Sequence, residues 1–101
     1  MEIPNPEQID TTKHFYDAFG NCETEISARW IVRLCQKRNI GWEPFTYNDI
    51  DGFYRSKGFY GFTFNNLITG RYIEEKNGLY HITLDFVVRC YKSSPKEKEI
   101  N

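Results

Sequence analysis

Two histidines and three cysteines are the side chains from which nucleophilic attack, zinc binding or imidazole acid–base chemistry would have to be built in this chain. His14 has Lys13 beside it and Asp17 three residues on, which could orient an imidazole, but no serine or cysteine sits near it in a recognisable nucleophile motif. The cysteines at 22, 35 and 90 are odd in number and have neither C-x-x-C nor zinc-ribbon spacing, so they predict small core or helix-face residues and inert thiols. Asp49 and Asp51, two apart on a predicted helix, point in different directions and share neither a proton nor a metal. The expectation is a non-enzymatic protein with no cofactor, no metal and no evident small-molecule substrate.

Binding is the remaining class of function. Residues 57–64, KGFYGFTF, nearly spell the strand motif by which some proteins stack RNA bases, and Arg55 and Lys57 stand among the aromatics. The extra Tyr60 breaks the motif, because on a strand Phe59 and Phe62 would then face opposite ways, and core packing is the expected role. A second group is the polar wedge Arg29, Arg33, Gln36 and Lys37 on the strongest predicted helix, an ordinary solvated face or a positive stripe for an acidic partner or phosphate. The formal charge of −1 argues against a general polyanion binder, since affinity for phosphate backbones comes mainly from Lys and Arg releasing counterions.

The elements that must position these residues are legible from local signals. Asn77-Gly78 predicts a type I′ hairpin turn, which sets Lys76 opposite Leu79, Glu75 opposite Tyr80, Glu74 opposite His81 and Ile73 opposite Ile82. His81 against Glu74 then reads as a cross-strand polar pair. Thr83 caps a closing helix with apolar positions Leu84, Val87, Val88 and Tyr91, and with Asp85 and Arg89 paired on its wet side. A central helix from about Cys22 to Asn39 carries Ile26, Ala28, Trp30, Ile31, Val32, Leu34 and Cys35, and Glu25 and Arg29 are spaced to pair on it. Gly41 and Pro44 enforce a connector in which Trp42 and Phe45 plug the core. A helix follows from Thr46 with Ile50, Phe53 and Tyr54 inward and a stop at Gly58. A third helix from about Gly61 to Thr69 turns Phe64, Leu67 and Ile68 inward and leaves Thr63, Asn65, Asn66 and Phe62 outward.

At the ends, Asn5-Pro6-Glu7-Gln8 has the parts of a helix start. It predicts an N-terminal helical arm within residues 1–22, with Ile9, Thr12, Tyr16 and Phe19 on one face. Residues 93–101 are charged, lack an apolar pattern and predict a disordered tail. Aromatics at 17% must fill a single modest core. With no signal-like segment at the N-terminus and no bilayer-length apolar run, the expectation is a cytoplasmic protein that does not enter a membrane.

A long helix, a connector, two short helices, a hairpin and a closing helix follow one another over residues 23–92. That order, carried by PFTYNDIDGFYRSKG, FTFNNLITGRYIEE and KNGLYHIT, resembles the winged-helix domain superfamily. The resemblance implies an α+β fold: a winged-helix-like three-helix core with a C-terminal β-hairpin wing, a closing helix and the extra N-terminal arm. It also implies helix-turn-helix contacts to DNA, with Asn65, Asn66, Thr63 and Thr69 reading bases from helix 61–70 and Arg55, Lys57, Arg71 and Lys76 near phosphates beside the 72–83 wing. This chain has no Lys or Arg between Gly61 and Gly70, and its wing carries Glu74 and Glu75 against Lys76. The leading expectation is therefore a protein-interaction or adaptor module, self-associating or bound to a partner through Tyr60, Phe62 and the arm, with sequence-dependent DNA binding as the alternative.

Overall fold

The computed structural model describes residues 2–96. Their elements run from a 3-10 turn at Pro6–Gln8 through α1 (Tyr16–Phe19), α2 (Cys22–Arg38), α3 (Tyr47–Ser56) and α4 (Asn65–Thr69). The antiparallel hairpin of β1 (Ile73–Lys76) and β2 (Leu79–Ile82) comes next, and α5 (Leu84–Ser93) closes the chain. The architecture is α+β, with the hairpin after the first four helices.

The long helix α2 forms because its apolar residues recur on most of its circumference and both ends are satisfied. Asn21 accepts the Thr24 N–H at 2.9 Å, and Asn39 ends the helix at φ 55°, a left-handed conformation that its short polar side chain tolerates. The helix thus stops two residues before Gly41. Ala28, Ile31, Val32 and Cys35 lose all contact with solvent, and Phe15, Phe45, Ile50, Leu67, Ile73 and Phe86 close over them. Full burial of each such aromatic or aliphatic side chain contributes about 2 kcal/mol.

The hairpin has the expected register, Ile73 with Ile82 through Lys76 with Leu79, and Asn77 and Gly78 both take positive φ, at 53° and 80°. Its outer edge is not left open. Phe45 and Tyr80 exchange backbone hydrogen bonds at 3.2 and 2.8 Å, so the connector after α2 lies as a single extended bridge beside β2. Phe64 stacks close to Tyr80, with ring centroids 4.2 Å apart, and this ties α4 to the same layer. Trp42 donates its indole N–H to Pro4 O at 2.7 Å, and with the buried Phe45 it seals the core as expected. Thr46 and Asp49 cap α3 reciprocally, at 3.1 and 2.9 Å.

Several expectations need correction. The arm is not one helix, because Asp10 accepts both the N–H and the hydroxyl of Thr12, at 2.9 and 2.5 Å, a local turn that competes with helical bonding. Ile9 instead bridges Pro95, and Ile9 and Phe19 are buried as expected, joined by Phe15, while Thr12 and Tyr16 lie outside. The third helix is confined to Asn65–Thr69, since Gly61 stands at φ 79° and the chain before Phe64 is irregular. On it Ile68 faces out rather than in, and just before it Phe62 is buried rather than outward. On α5 the core stripe is Phe86, Val87 and Cys90, while Leu84 is exposed. Residues 93–96 of the expected tail belong to the fold: Ser93 lies in α5, Ser94 is buried with its hydroxyl donating to Asp10 O at 2.5 Å, and Lys96 N–H donates to Gln8 O at 2.8 Å. Residues 97–101 of the expected tail lie outside the described residues.

Candidate functional site

The sequence-predicted contact residues separate into two sets. Thr63, Asn65, Asn66, Thr69, Arg71 and Lys76 are all exposed on or beside α4 and the hairpin and form one surface. It is short and acidic. α4 makes little more than one turn, Asn66 donates to the Glu23 carboxylate at 3.4 Å, and Lys76 lies 3.8 Å from Glu74 with Glu75 exposed beside it. Carboxylates at Glu23, Glu74 and Glu75 oppose a phosphate backbone laid across this surface. Phe62 takes no part in any contact surface, because it packs inward on Tyr54 and Phe64 at centroid separations of 5.3 and 5.1 Å.

The second set is basic and aromatic. Gly58 and Gly61 hold the 57–62 loop in a shape strands do not adopt, with φ of 90° and 79°. The loop lays Phe59 on Trp30 and Tyr54, at 5.4 and 5.3 Å, and leaves Tyr60 the most exposed large hydrophobic side chain among the described residues, at 73%. Arg55 covers Tyr60 at 5.6 Å and is braced by Asp51 at 2.9 Å. Next to this loop, α2 and α3 border an open groove of about 600 Å³ lined by Trp30, Arg33, Gln36, Lys37, Phe53 and Lys57. Arg33 sits over Trp30 at 4.8 Å, and Lys37 and Lys57 both sit over Phe53, at 5.2 and 5.7 Å. Among the described residues no carboxylate pairs with Arg33, Lys37 or Lys57. Loss of solvent, then repulsion from Arg29, lowers the Arg33 pKa from its ordinary value, with Glu25 opposing.

Sequence reasoning named the Arg33, Gln36 and Lys37 stripe and, separately, Lys57, but it did not join them and it missed Phe53 and Phe59 as parts of the surface. The available signal was a pair of i, i+4 matches, Arg33 with Lys37 and Phe53 with Lys57, on neighbouring helices.

Several of the groups capable of chemistry have partners within the fold. Glu25 is fully buried, accepts the Phe15 N–H at 3.1 Å, and lies 2.7 Å from Arg29 Nε and 3.5 Å from His14 Nδ1. The Arg29 contact is close without hydrogen-bond alignment, so its attraction is chiefly ionic, and Glu25 Oε2 has no hydrogen-bond partner. Burial pushes the Cys35 thiol up to about 11 and raises Cys90 further, while Cys22 is exposed at the start of α2. Asp49 serves the α3 cap and Asp51 serves Arg55, so the two carboxylates work apart. Among the described residues no three His, Cys, Asp or Glu side chains gather as a metal site would require, and no helix is long and apolar enough to cross a membrane.

No protein-family model matches the chain, and no curated protein or solved structure is similar enough to count as a match.

Proposed function

We propose that this chain is a small winged-helix-like module without chemistry of its own, which holds a partner protein on the face made by α2, α3 and the 57–62 loop. The winged-helix part of the reading is supported by the order of α2, the Phe45 bridge, α3, α4 and the hairpin. The interaction part rests on one observation above all: Phe59 and Tyr60 are left exposed, at 48% and 73%, next to a groove lined by Arg33, Lys37 and Lys57, which among the described residues have no carboxylate partner. Aromatic and arginine side chains in such company are what protein interfaces use as anchors.

The arm contributes little to this face. Its apolar side chains Ile9 and Phe15 are consumed within the same chain, and α2 grips its backbone through Gln36 to Pro6 O and Ile9 O, both at 2.9 Å, and Arg33 to Thr11 O at 2.9 Å. Self-association, if the partner is a second copy, therefore runs through Phe59 and Tyr60 and not through exchange of arms.

Panning a random-peptide display library on the immobilised chain tests the reading. Clones that bind the parent and not F59S/Y60S are the expected result; clones that bind both equally overturn it. DNA recognition by α4 and the wing is the second reading, favoured by Asn65 and Thr69 standing exposed on α4. Binding of a mixed-sequence duplex that weakens log-linearly with salt, and is lost in N65A/T69A, would establish that reading in place of the first.

A further inference from the structure

We infer that the groove between α2 and α3 docks an extended acidic peptide segment of a partner, whose carboxylates at alternate positions meet Arg33, Lys37 and Lys57. The inference rests on the reading of the chain as a protein-binding module and names the chemistry of what it binds.

Charge is the first argument. Three cations line one groove, and among the described residues none has a carboxylate partner, in a chain whose formal charge is −1. Three arginines elsewhere are paired off: Arg29 with Glu25 at 2.7 Å, Arg55 with Asp51 at 2.9 Å and Arg89 with Asp85 at 2.9 Å. Anions brought by a partner would complete for Arg33, Lys37 and Lys57 what the fold supplies to Arg29, Arg55 and Arg89. The Arg33 guanidinium, crowded by Arg29 and stripped of part of its water, gains most from an arriving carboxylate.

Geometry is the second. The charged heads rest over the rings of Trp30 and Phe53 at 4.8, 5.2 and 5.7 Å, which limits their freedom before a partner arrives and so lowers the entropy cost of binding. Arg33 and Lys37 are one turn apart, about 6 Å along the helix axis. An extended strand presents side chains on one side every ~6.6 Å, so acidic residues at i and i+2 match that interval.

The same features disfavour a nucleic acid. Stacking needs a free π-face, and here the cations already sit over Trp30 and Phe53. Asp49 shares with Lys37 a second, neighbouring groove, and Asp51 holds Arg55, so the basic row is too short and too closely flanked by acids to follow a phosphate backbone.

A fluorescein-labelled twelve-residue peptide of alternating Glu and Ser, titrated with the full chain at about 50 mM salt, tests the inference by anisotropy. The expected result is saturable binding that weakens about tenfold or more in K37E/K57E, while an alternating Lys and Ser peptide does not bind. Lys37 and Lys57 are exposed, and an unchanged urea midpoint certifies that the variant is folded. No binding of the Glu–Ser peptide, equal binding by K37E/K57E, or tighter binding of a twelve-nucleotide thymidine strand each overturns the inference. If display clones dependent on Phe59 and Tyr60 exist while the Glu–Ser peptide fails, the module stands and only its acidic partner is lost.

Discussion

At the start of α2 a carboxylate, Glu25, is wholly buried and ringed by Arg29, His14 and the Phe15 N–H, whereas two turns further on Arg33 and Lys37 open onto a groove where, among the described residues, no carboxylate pairs with them. One helix therefore uses charge in two ways. At its first end opposite charges are brought together and shielded, which fastens the arm to the core. At the other, like charges are gathered at the surface, which adds nothing to folding and, on our proposal, serves a partner.

Removing the buried carboxylate should have the largest effect. Glu25→Ala leaves the Arg29 guanidinium, whose side chain is only 16% exposed, without its counter-ion, and frees the Phe15 N–H in a dry site. The expected cost is about 3 kcal/mol by urea unfolding, a large fraction of what a domain of this size has. Preferential proteolysis within residues 9–15 should accompany it, because the arm loses its anchor. A loss below ~1 kcal/mol would mean that the two ends do not differ in kind.

Of this contrast, the sequence discloses the parts but not their settings. Glu25 and Arg29 are readable as an i, i+4 pair, yet the spacing places them on a solvated wedge; burial comes from the arm folding across them, and nothing local to α2 encodes that. The hairpin, by comparison, is legible to the register, since Asn77-Gly78 and the alternation around it are local and strong. In the 57–64 loop alternation misleads, because positive φ at Gly58 and Gly61 turns Phe62 inward and Phe59 outward. The groove depends on how α2 crosses α3, which no single stretch of sequence contains.

Raising the pH probes the interior of the same helix. Cys35 on α2 has its thiol pKa raised by burial from 9.0 to about 11, so the folded state holds this proton more tightly than the unfolded chain. The stabilisation is complete below 9.0 and is lost as pH climbs toward about 11. On the order of 2 kcal/mol should disappear between pH 8 and pH 10.5, measured as a fall in urea midpoint that is smaller in C35A. Cys90 shifts in the same direction, so some loss persists in that variant. At pH 8 a maleimide should label Cys22 at once and the other two thiols only on unfolding.

A smaller effect is expected for His14→Ala. The imidazole is over half exposed, 3.5 Å from Glu25 and stacked on Tyr16 at 4.7 Å, so it trims the cluster without sealing it. A cost of about 0.5 kcal/mol, well below that of Glu25→Ala, would place the fastening in the carboxylate and Arg29.

The smallest change in stability should come from Lys37→Ala, and its smallness is the point. The ammonium sits over Phe53 at 5.2 Å and pairs with no carboxylate among the described residues, while removing it relieves repulsion with the Arg33 and Lys57 that share its groove. The lost cation–π contact and the relieved repulsion are both about 0.5 kcal/mol and opposite in sign, so the urea midpoint should barely move. A near-zero loss is what the proposed docking role asks of a residue held in a row of like charges. A loss above ~1 kcal/mol on Lys37→Ala would show instead that the open end of α2 is fastened as firmly as the closed one.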